Sequence, residues 1–375
     1  MIYLDNAATT LVKPLAVARA ASRAVCRLAT PGRGAHKAAF DAAETTLACR
    51  EAASELFNVK NPEQVVLTFN ATHALNIAIK SLAKRGDKVV ISGYEHNAVT
   101  RPLHAVGARV VVAAAPLFDP ELALCAFESH LSSDTALVVL NHVSNVFGYI
   151  QPAERLAAVC RARQIPFVLD ASQSAGALDI DFEGLGASYI CMPGHKGLYG
   201  PQGTGLLLCA GVPQGIIEGG TGSHSLSRDM PPMLPDRLEA GTHNMPGIAG
   251  LLEGLHYVRK KGPKNILAHE RDLVKYAAEM LIRHKGVRLM ISDDLAFQSS
   301  VLSFVVDNMA CETVGEELSK RGIAVRVGLH CAPLAHKTAG TLSTGTVRAS
   351  VSSFTTMREI DVFCRAVGEI ASQHA

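Results

Sequence analysis

Lys196 stands in Cys191-Met192-Pro193-Gly194-His195-Lys196-Gly197, just after a short apolar run, with glycines on either side and no acid upstream nearer than Glu183. An amine placed like this, partly withdrawn from water, loses its proton more easily and can attack a carbonyl. The same string also suits an ordinary solvated turn. Upstream, Ile165-Pro166-Phe167-Val168-Leu169-Asp170 is an apolar strand pattern that ends in an acid and passes into small residues as far as Gly176. In an open α/β sheet, ligands bind beyond the carboxyl ends of the strands, which is where Asp170 falls. An aspartate ending a strand is as readily a turn former or a helix cap. Pyridoxal phosphate needs a lysine for its Schiff base and a carboxylate beside its pyridine nitrogen, and Lys196 and Asp170 fit those two roles.

The elements that must hold these residues alternate strand and helix. Val65–Phe69 precedes a helical pattern from about Thr72, and Lys88–Ser92, Arg109–Ala113 and Ala136–Leu140 repeat the alternation. Such continuous apolar runs predict a mainly parallel sheet buried between helix layers. Residues 211–247 are rich in Gly, Pro, Ser and Met and read as a long active-site loop. Helical patterns near 247–260 and 265–284 follow at once, and a second domain begins there. In the last third, Thr313-x-x-Glu316 and Thr356-x-x-Glu359 read as capping boxes. Internal repeats and coiled-coil heptads are absent from the sequence.

Composition narrows the function classes. The chain has 375 residues, 48% hydrophobic and 19% charged, enough to bury one large core and a smaller one. A formal net charge of +2 argues against nucleic acid or an anionic membrane as a partner. No apolar run approaches the ~20 residues that span a bilayer, and the amino terminus does not read as an export signal, so a cytoplasmic location is expected. Nine cysteines form an odd set without a Cys-x-x-Cys pair, which points away from a disulfide framework or a zinc site and toward small core residues in a reducing compartment. No metal is expected.

Eight segments in order carry a family resemblance: Tyr3-Leu4-Asp5-Asn6-Ala7-Ala8-Thr9-Thr10, Glu95-His96, His142-Val143-Ser144-Asn145, Asp170-x-x-Gln173, Gly194-His195-Lys196, Glu239-Ala240-Gly241-Thr242, His330-Cys331-Ala332 and Arg348-Ala349-Ser350. Over nearly its whole length the chain resembles the class V, fold-type I pyridoxal-phosphate enzymes, and most of all the cysteine desulfurase/selenocysteine lyase branch, closest to its second desulfurase group. The resemblance implies an α/β fold, with a large cofactor domain over 11–250 holding a mainly parallel mixed sheet between helices. Residues 1–10 and 251–375 would form a smaller α+β domain. It also implies a homodimer with composite active sites.

Within that resemblance the cofactor phosphate is expected at Thr72, at His195 and at Thr242, the last reaching in from the partner subunit. Asn70-Ala71-Thr72-His73 has the character of a strand-to-helix junction, where free amides and the helix dipole favour an anion. His96 corresponds to the family histidine stacked on the pyridine ring, and Gln173 to the side chain bonded to its phenolic oxygen. Read alone, His96 is an ordinary surface or helix-start residue. Pro193 stands where the family often has a serine, which removes a hydroxyl and an amide from the phosphate site.

Cys331 falls where desulfurases carry their nucleophile, although read alone it is equally a small buried hydrophobe. The reaction implied is conversion of L-cysteine or L-selenocysteine to L-alanine, with the chalcogen passing to Cys331 as a persulfide. His330 as imidazolium would lower the thiol pKa or shuttle a proton. Leu329 departs from the family's His-His-Cys. Arg348, with help from Asn145, is expected to bind the α-carboxylate. Cys331 lies only 17 positions before Arg348, a short tether that calls for a separate sulfur-acceptor protein to approach. Pro31-Gly32-Arg33-Gly34-Ala35-His36 resembles a segment that crosses a dimer interface. Two other readings stand beside this one: an aminotransferase or epimerase that does not use Cys331, and a scaffold without activity.

Overall fold

Apolar runs in the first two hundred residues become strands because alternate side chains find apolar partners on both faces. The computed structural model describes residues 1–32 and 34–373. After a short opening strand β1 (Ile2–Tyr3), the runs give β2 (Val65–Thr68), β3 (Lys88–Ser92), β4 (Arg109–Ala113), β5 (Thr135–Asn141), β6 (Phe167–Asp170), β7 (Tyr189–Pro193) and β8 (Gly205–Cys209). Strands β2 to β8 form one seven-stranded sheet in the order β2-β8-β7-β6-β5-β3-β4. Only β8 runs against its neighbours, so the sheet is mainly parallel, as expected.

Period-2 alternation sends Val90, Val138, Leu140, Leu169 and Ile190 into one buried cluster and Val89, Leu137, Val139, Val168 and Cys191 into the other. Helices α1 (Leu15–Arg27) and α2 (Lys37–Phe57) precede the sheet. Between its strands lie α3 (Ala71–Leu82), α4 (Asn97–Val106), α5 (Pro120–His130), α6 (Ala153–Ala162) and the single turn α7 (Phe182–Leu185). Residues 211–244 form a long irregular loop interrupted by one 3₁₀ turn, Asp236–Leu238, before α8 (Met245–Lys261) and α9 (Pro263–Leu281).

A second core gathers residues from 273 to 371 together with Leu4. Here β9 (Val287–Met290), β10 (Val301–Val306), β12 (Arg326–Gly328) and β13 (Thr346–Ser350) make an antiparallel sheet in the order β12-β13-β10-β9. The short β11 (Ile323–Ala324) pairs in parallel with β1. Helices α10 (Cys311–Lys320), α11 (Pro333–Thr338) and α12 (Met357–Ser372) complete this part.

Of the two expected capping boxes, one forms. Thr356 caps α12 reciprocally with Glu359. Thr313 is instead the third residue inside α10, whose cap is Ala310 without a side-chain bond. A Thr-x-x-Glu string acts as a box only when the threonine precedes the first helical residue, and this helix begins earlier, at Cys311. Arg33 lies outside the described residues. No helix among those described is long and apolar enough to cross a membrane.

Candidate active site

Lys196 is placed by close backbone packing. Leaving β7, the chain makes a tight loop in which Gly194 donates to the Thr204 carbonyl (2.8 Å) and Gly200 to the Gly194 carbonyl (2.7 Å). A Cβ on Gly197 would stand 2.3 Å from the Ala175 carbonyl oxygen, and one on Gly176 would stand 2.2 Å from that of Gly197. These two glycines let the lysine loop lie directly on the segment that follows Asp170. The outer side of the loop is tied to residues near the beginning of the chain: the His195 carbonyl accepts from the Thr10 amide and hydroxyl and from Lys13 Nζ, while His195 Nδ1 meets Thr9 Oγ1 at 3.0 Å.

Thr72, His96, Asn145, Asp170, Gln173, His195 and Lys196 line one cavity of about 530 Å³, its mouth included. Each is aimed by ordinary local structure. Asn70 caps α3 by accepting from the His73 amide (2.8 Å), which leaves the Ala71 and Thr72 amides at the helix start for an anion. His96 caps α4, its Nδ1 accepting from the Ala98 amide (3.0 Å), so the neutral ring carries its proton on Nε2. It is a helix-start residue and a cavity wall at once. Asp170 is likewise both turn former and wall: Oδ1 accepts from the Ser172 amide (2.9 Å), and no bond to Oδ2 is found among the described residues. Gln173 spends one N–H on the Ala7 carbonyl (2.9 Å).

Lys196 lines this cavity and also a smaller one bounded by Asn6, Thr10 and Glu270. Burial lowers its pKa from 10.5 to about 8, opposed by the Asp170 carboxylate and aided by the Arg348 charge. At pH 7 that leaves about 300 times more neutral amine than a solvated lysine has. Burial, with the Lys196 charge second, lowers His195 to about 4. His96 is also held below its ordinary value by burial, although Asp170 pulls the other way.

Cys331 is exposed and stands at the rim. His330 and Cys331 have φ of 49° and 57°, and the Ala332 amide donates to the Leu329 carbonyl (2.8 Å), the pattern of a type I′ turn without glycine. The turn is bound to the cavity wall by the Asn97 amide on the Cys331 carbonyl and by Asn145 Nδ2 on the His330 carbonyl, both at 2.8 Å. His330 is disfavoured as an imidazolium by burial. It is buried against Arg348 and its pKa falls to about 2, chiefly through burial. Its Nε2 lies 3.2 Å from the Thr346 carbonyl, and its Nδ1 has no partner among the described residues.

Two expected residues stand outside the cavity. Arg348, only 2% exposed, sits behind Asn145, donating through Nη1 to the Asn145 carbonyl and through Nη2 to Asp5 Oδ1, both at 2.8 Å. Thr242 is exposed on the long loop and lines a different cavity with Phe69, His73 and Glu239. Within its own chain the loop therefore borders a neighbouring cavity, not the one at Lys196.

Three charged groups near the site were given no role from the sequence, although Asp5 and Glu95 stand within the resemblance segments. They are Asp5 on Arg348, Lys13 on the His195 carbonyl, and Glu95, whose buried carboxyl accepts from Ser92 Oγ (2.6 Å) and the Asn141 amide (2.8 Å) and is pushed by burial up to about 8. A lone acid inside an apolar run, as in Tyr3-Leu4-Asp5 and Gly93-Tyr94-Glu95, was the available signal.

The family model Aminotransferase class-V matches residues 2–363. A probable cysteine desulfurase of Mycolicibacterium paratuberculosis is 33% identical over 99% of this chain, which spans 55% of that protein's length. The probable cysteine desulfurase of Methanothermobacter thermautotrophicus is 32% identical, with 99% of this chain and 94% of that one covered. Among solved structures, the apo cysteine desulfurase of Thermococcus onnurineus superposes with a TM-score of 0.92 at 30% identity, covering 99% and 95% of the two chains. The cysteine desulfurase CsdA of Escherichia coli, in an S-sulfonic acid form, gives 0.86 at 26%, covering 99% and 94%.

Proposed function

The chain belongs to the class-V aminotransferase family, and we propose that within it the protein is a pyridoxal-phosphate-dependent cysteine desulfurase that takes sulfur from L-cysteine onto Cys331 and releases L-alanine. The observation that carries this reading is the Cys331 turn, which Asn145 binds to the wall of the cavity lined by Lys196 and Asp170.

The residues fit the cofactor. Ala71 and Thr72 offer amides at a helix start and Thr72 a hydroxyl for its phosphate, Asp170 Oδ2 suits a pyridinium nitrogen, and Lys196 supplies the amine. Bound there, pyridoxal phosphate supplies a carbonyl that captures amines and a ring that holds the electrons of a bond breaking in the substrate. Lys196, neutral in useful amount at pH 7, moves the proton from the substrate α-carbon. His96 would cover the ring, and Gln173 would reach its phenolic oxygen with its remaining N–H. Arg348 and Asn145 hold the α-carboxylate. The Cys331 thiolate attacks the substrate sulfur: an S–S bond forms as the Cβ–S bond breaks, the electron pair stays with carbon, and a proton completes the methyl group of alanine.

Residues 11–250 form the cofactor domain in this reading, and residues 1–10 with 251–375 the smaller one; separate apolar cores support two domains, although Leu251 and Leu255 pack in the larger core and the second, Leu4 apart, begins at Leu273. Thr242, exposed and away from its own chain's site, serves the partner subunit of a homodimer. The pinned turn keeps the persulfide at the rim, so an acceptor protein collects the sulfur there. Nine free thiols suit the reducing cytoplasm.

Incubation of the holoenzyme with L-cysteine and with L-selenocysteine, measuring alanine and the persulfide, tests the proposal. Cys331→Ala is expected to retain cofactor absorbance and to lose persulfide. Full activity in that variant would indicate an enzyme that does not use Cys331, and no turnover of any amino acid by protein supplied with the cofactor would indicate a scaffold.

A further inference from the structure

Arg326 and Arg348 are direct cross-strand partners on β12 and β13. Like charges facing each other across a strand pair repel, and although Arg326 is half exposed, Arg348 is buried and cannot turn away into water. The repulsion is met from a distant part of the chain. Asp5 divides its carboxylate between the two, Oδ1 taking Arg348 Nη2 at 2.8 Å and Oδ2 taking Arg326 Nε at 3.1 Å. Asp5 is itself fixed to the same sheet. It forms a parallel bridge with Ser350, whose amide donates to the Leu4 carbonyl (2.7 Å) and whose hydroxyl accepts from the Ala7 amide (2.9 Å).

On its other side the Arg348 guanidinium is held by the Asn145 carbonyl, while Nε has no partner among the described residues. A planar fork gripped at two corners, with one buried N–H unspent, cannot swing freely. Two arginines and one aspartate also leave a single unit of positive charge, which one substrate carboxylate would neutralise.

We propose that Asp5 is a positioning residue for substrate binding: by bridging Arg326 and Arg348 it keeps the Arg348 guanidinium oriented for the α-carboxylate of the amino-acid substrate. This rests on the reading of Arg348 as the carboxylate anchor.

The test uses the holoenzyme, with KM and kcat for L-cysteine and the Kd of the product L-alanine measured by calorimetry. Asp5→Asn is expected to raise KM and the alanine Kd about tenfold or more while kcat stays within about threefold, the pattern of lost carboxylate binding without lost chemistry. Arg326→Gln removes the repulsion and is expected to change both by less than about threefold, and Asp5→Asn/Arg326→Gln should return both to within about threefold of the starting protein. An Asp5→Asn protein with unchanged KM and Kd overturns the proposal. So does a double variant that stays as weak as Asp5→Asn, or an Arg326→Gln protein as weak as Asp5→Asn. If Asp5→Asn does not fold, the double variant compared with Arg326→Gln carries the same decision: binding within about threefold supports the bridge, and a tenfold loss overturns it. Arg348→Ala separates the two levels. If its KM and alanine Kd are unchanged, the anchor reading fails. If Arg348→Ala binds weakly and Asp5→Asn binds normally, only the role of Asp5 fails.

Discussion

Lys196 and Cys331 border the same site and are held in opposite ways. Lys196 is enclosed by glycines that pack backbone against backbone and by Thr9, Thr10 and Lys13 on the far side of its loop. Cys331 stands in the open on a two-residue turn whose dihedral angles suit glycine, held by two hydrogen bonds to the cavity wall. The difference matches what each group would have to do in the proposed reaction. An amine that must lose its proton near neutral pH gains from withdrawal from water. A thiol that must pass an atom to something outside the protein has to remain within reach. One site therefore joins a group activated by enclosure to a group made useful by exposure, and the strain of a non-glycine turn is spent at the second.

The largest effect separates the two residues by what each loses. Lys196→Ala is expected to lower alanine release by at least about 10³-fold. Borohydride should then trap no pyridoxal phosphate at position 196, whereas Cys331→Ala should still be trapped at Lys196 and lose only the persulfide. Labelling at position 196 in Cys331→Ala, read by peptide mass spectrometry, decides it.

The enclosure itself can be broken. Gly197→Ala sets a methyl group 2.3 Å from the Ala175 carbonyl oxygen, so the lysine loop must move. A cost of about 2 kcal/mol in urea unfolding is expected, with a lower yield of trapped cofactor.

The pH dependence sharpens the comparison. The Lys196 pKa is lowered in the folded protein to about 8, so its amine is largely protonated below that value and neutral above it. The rate at which pyridoxal phosphate added to cofactor-free protein becomes trappable at Lys196 should rise about tenfold per unit from pH 6 to 7 and level off above about 8. A rise continuing to pH 10 would mean that the lysine is solvated.

The smallest effect lies at the turn. Cys331→Gly adopts positive φ without the Cβ penalty that Cys331→Ala keeps, so it should be about 1 kcal/mol more stable to urea, although both variants have lost the thiol.

The strand runs and the Asp170–Lys196 pair were legible because each rests on neighbours in sequence: period-2 burial, a strand ending in an acid, glycines beside a lysine. His96 and Asp170 also show why the plain and the functional readings were not rivals, since one side chain caps or turns the backbone while lining the cavity. What could not be read depended on distance. The burial that leaves His330 neutral comes from residues such as Arg348 on another strand, and Asp5 meets that arginine across 343 positions. Thr313 failed as a cap for a local reason, because its spacing to Glu316 is equally at home inside a helix.

The stitching of residues 2–10 onto β11, Ser350 and the His195 carbonyl has a consequence for how the protein is made. These residues leave the ribosome more than three hundred positions ahead of the segment that fixes Arg348, and contacts so remote in sequence form late. The cavity at Lys196 is lined wholly by residues 70–196, so during synthesis its lining is complete before Arg348 is translated; under the proposed function, a nascent chain would meet its vitamin before it could grip an amino acid.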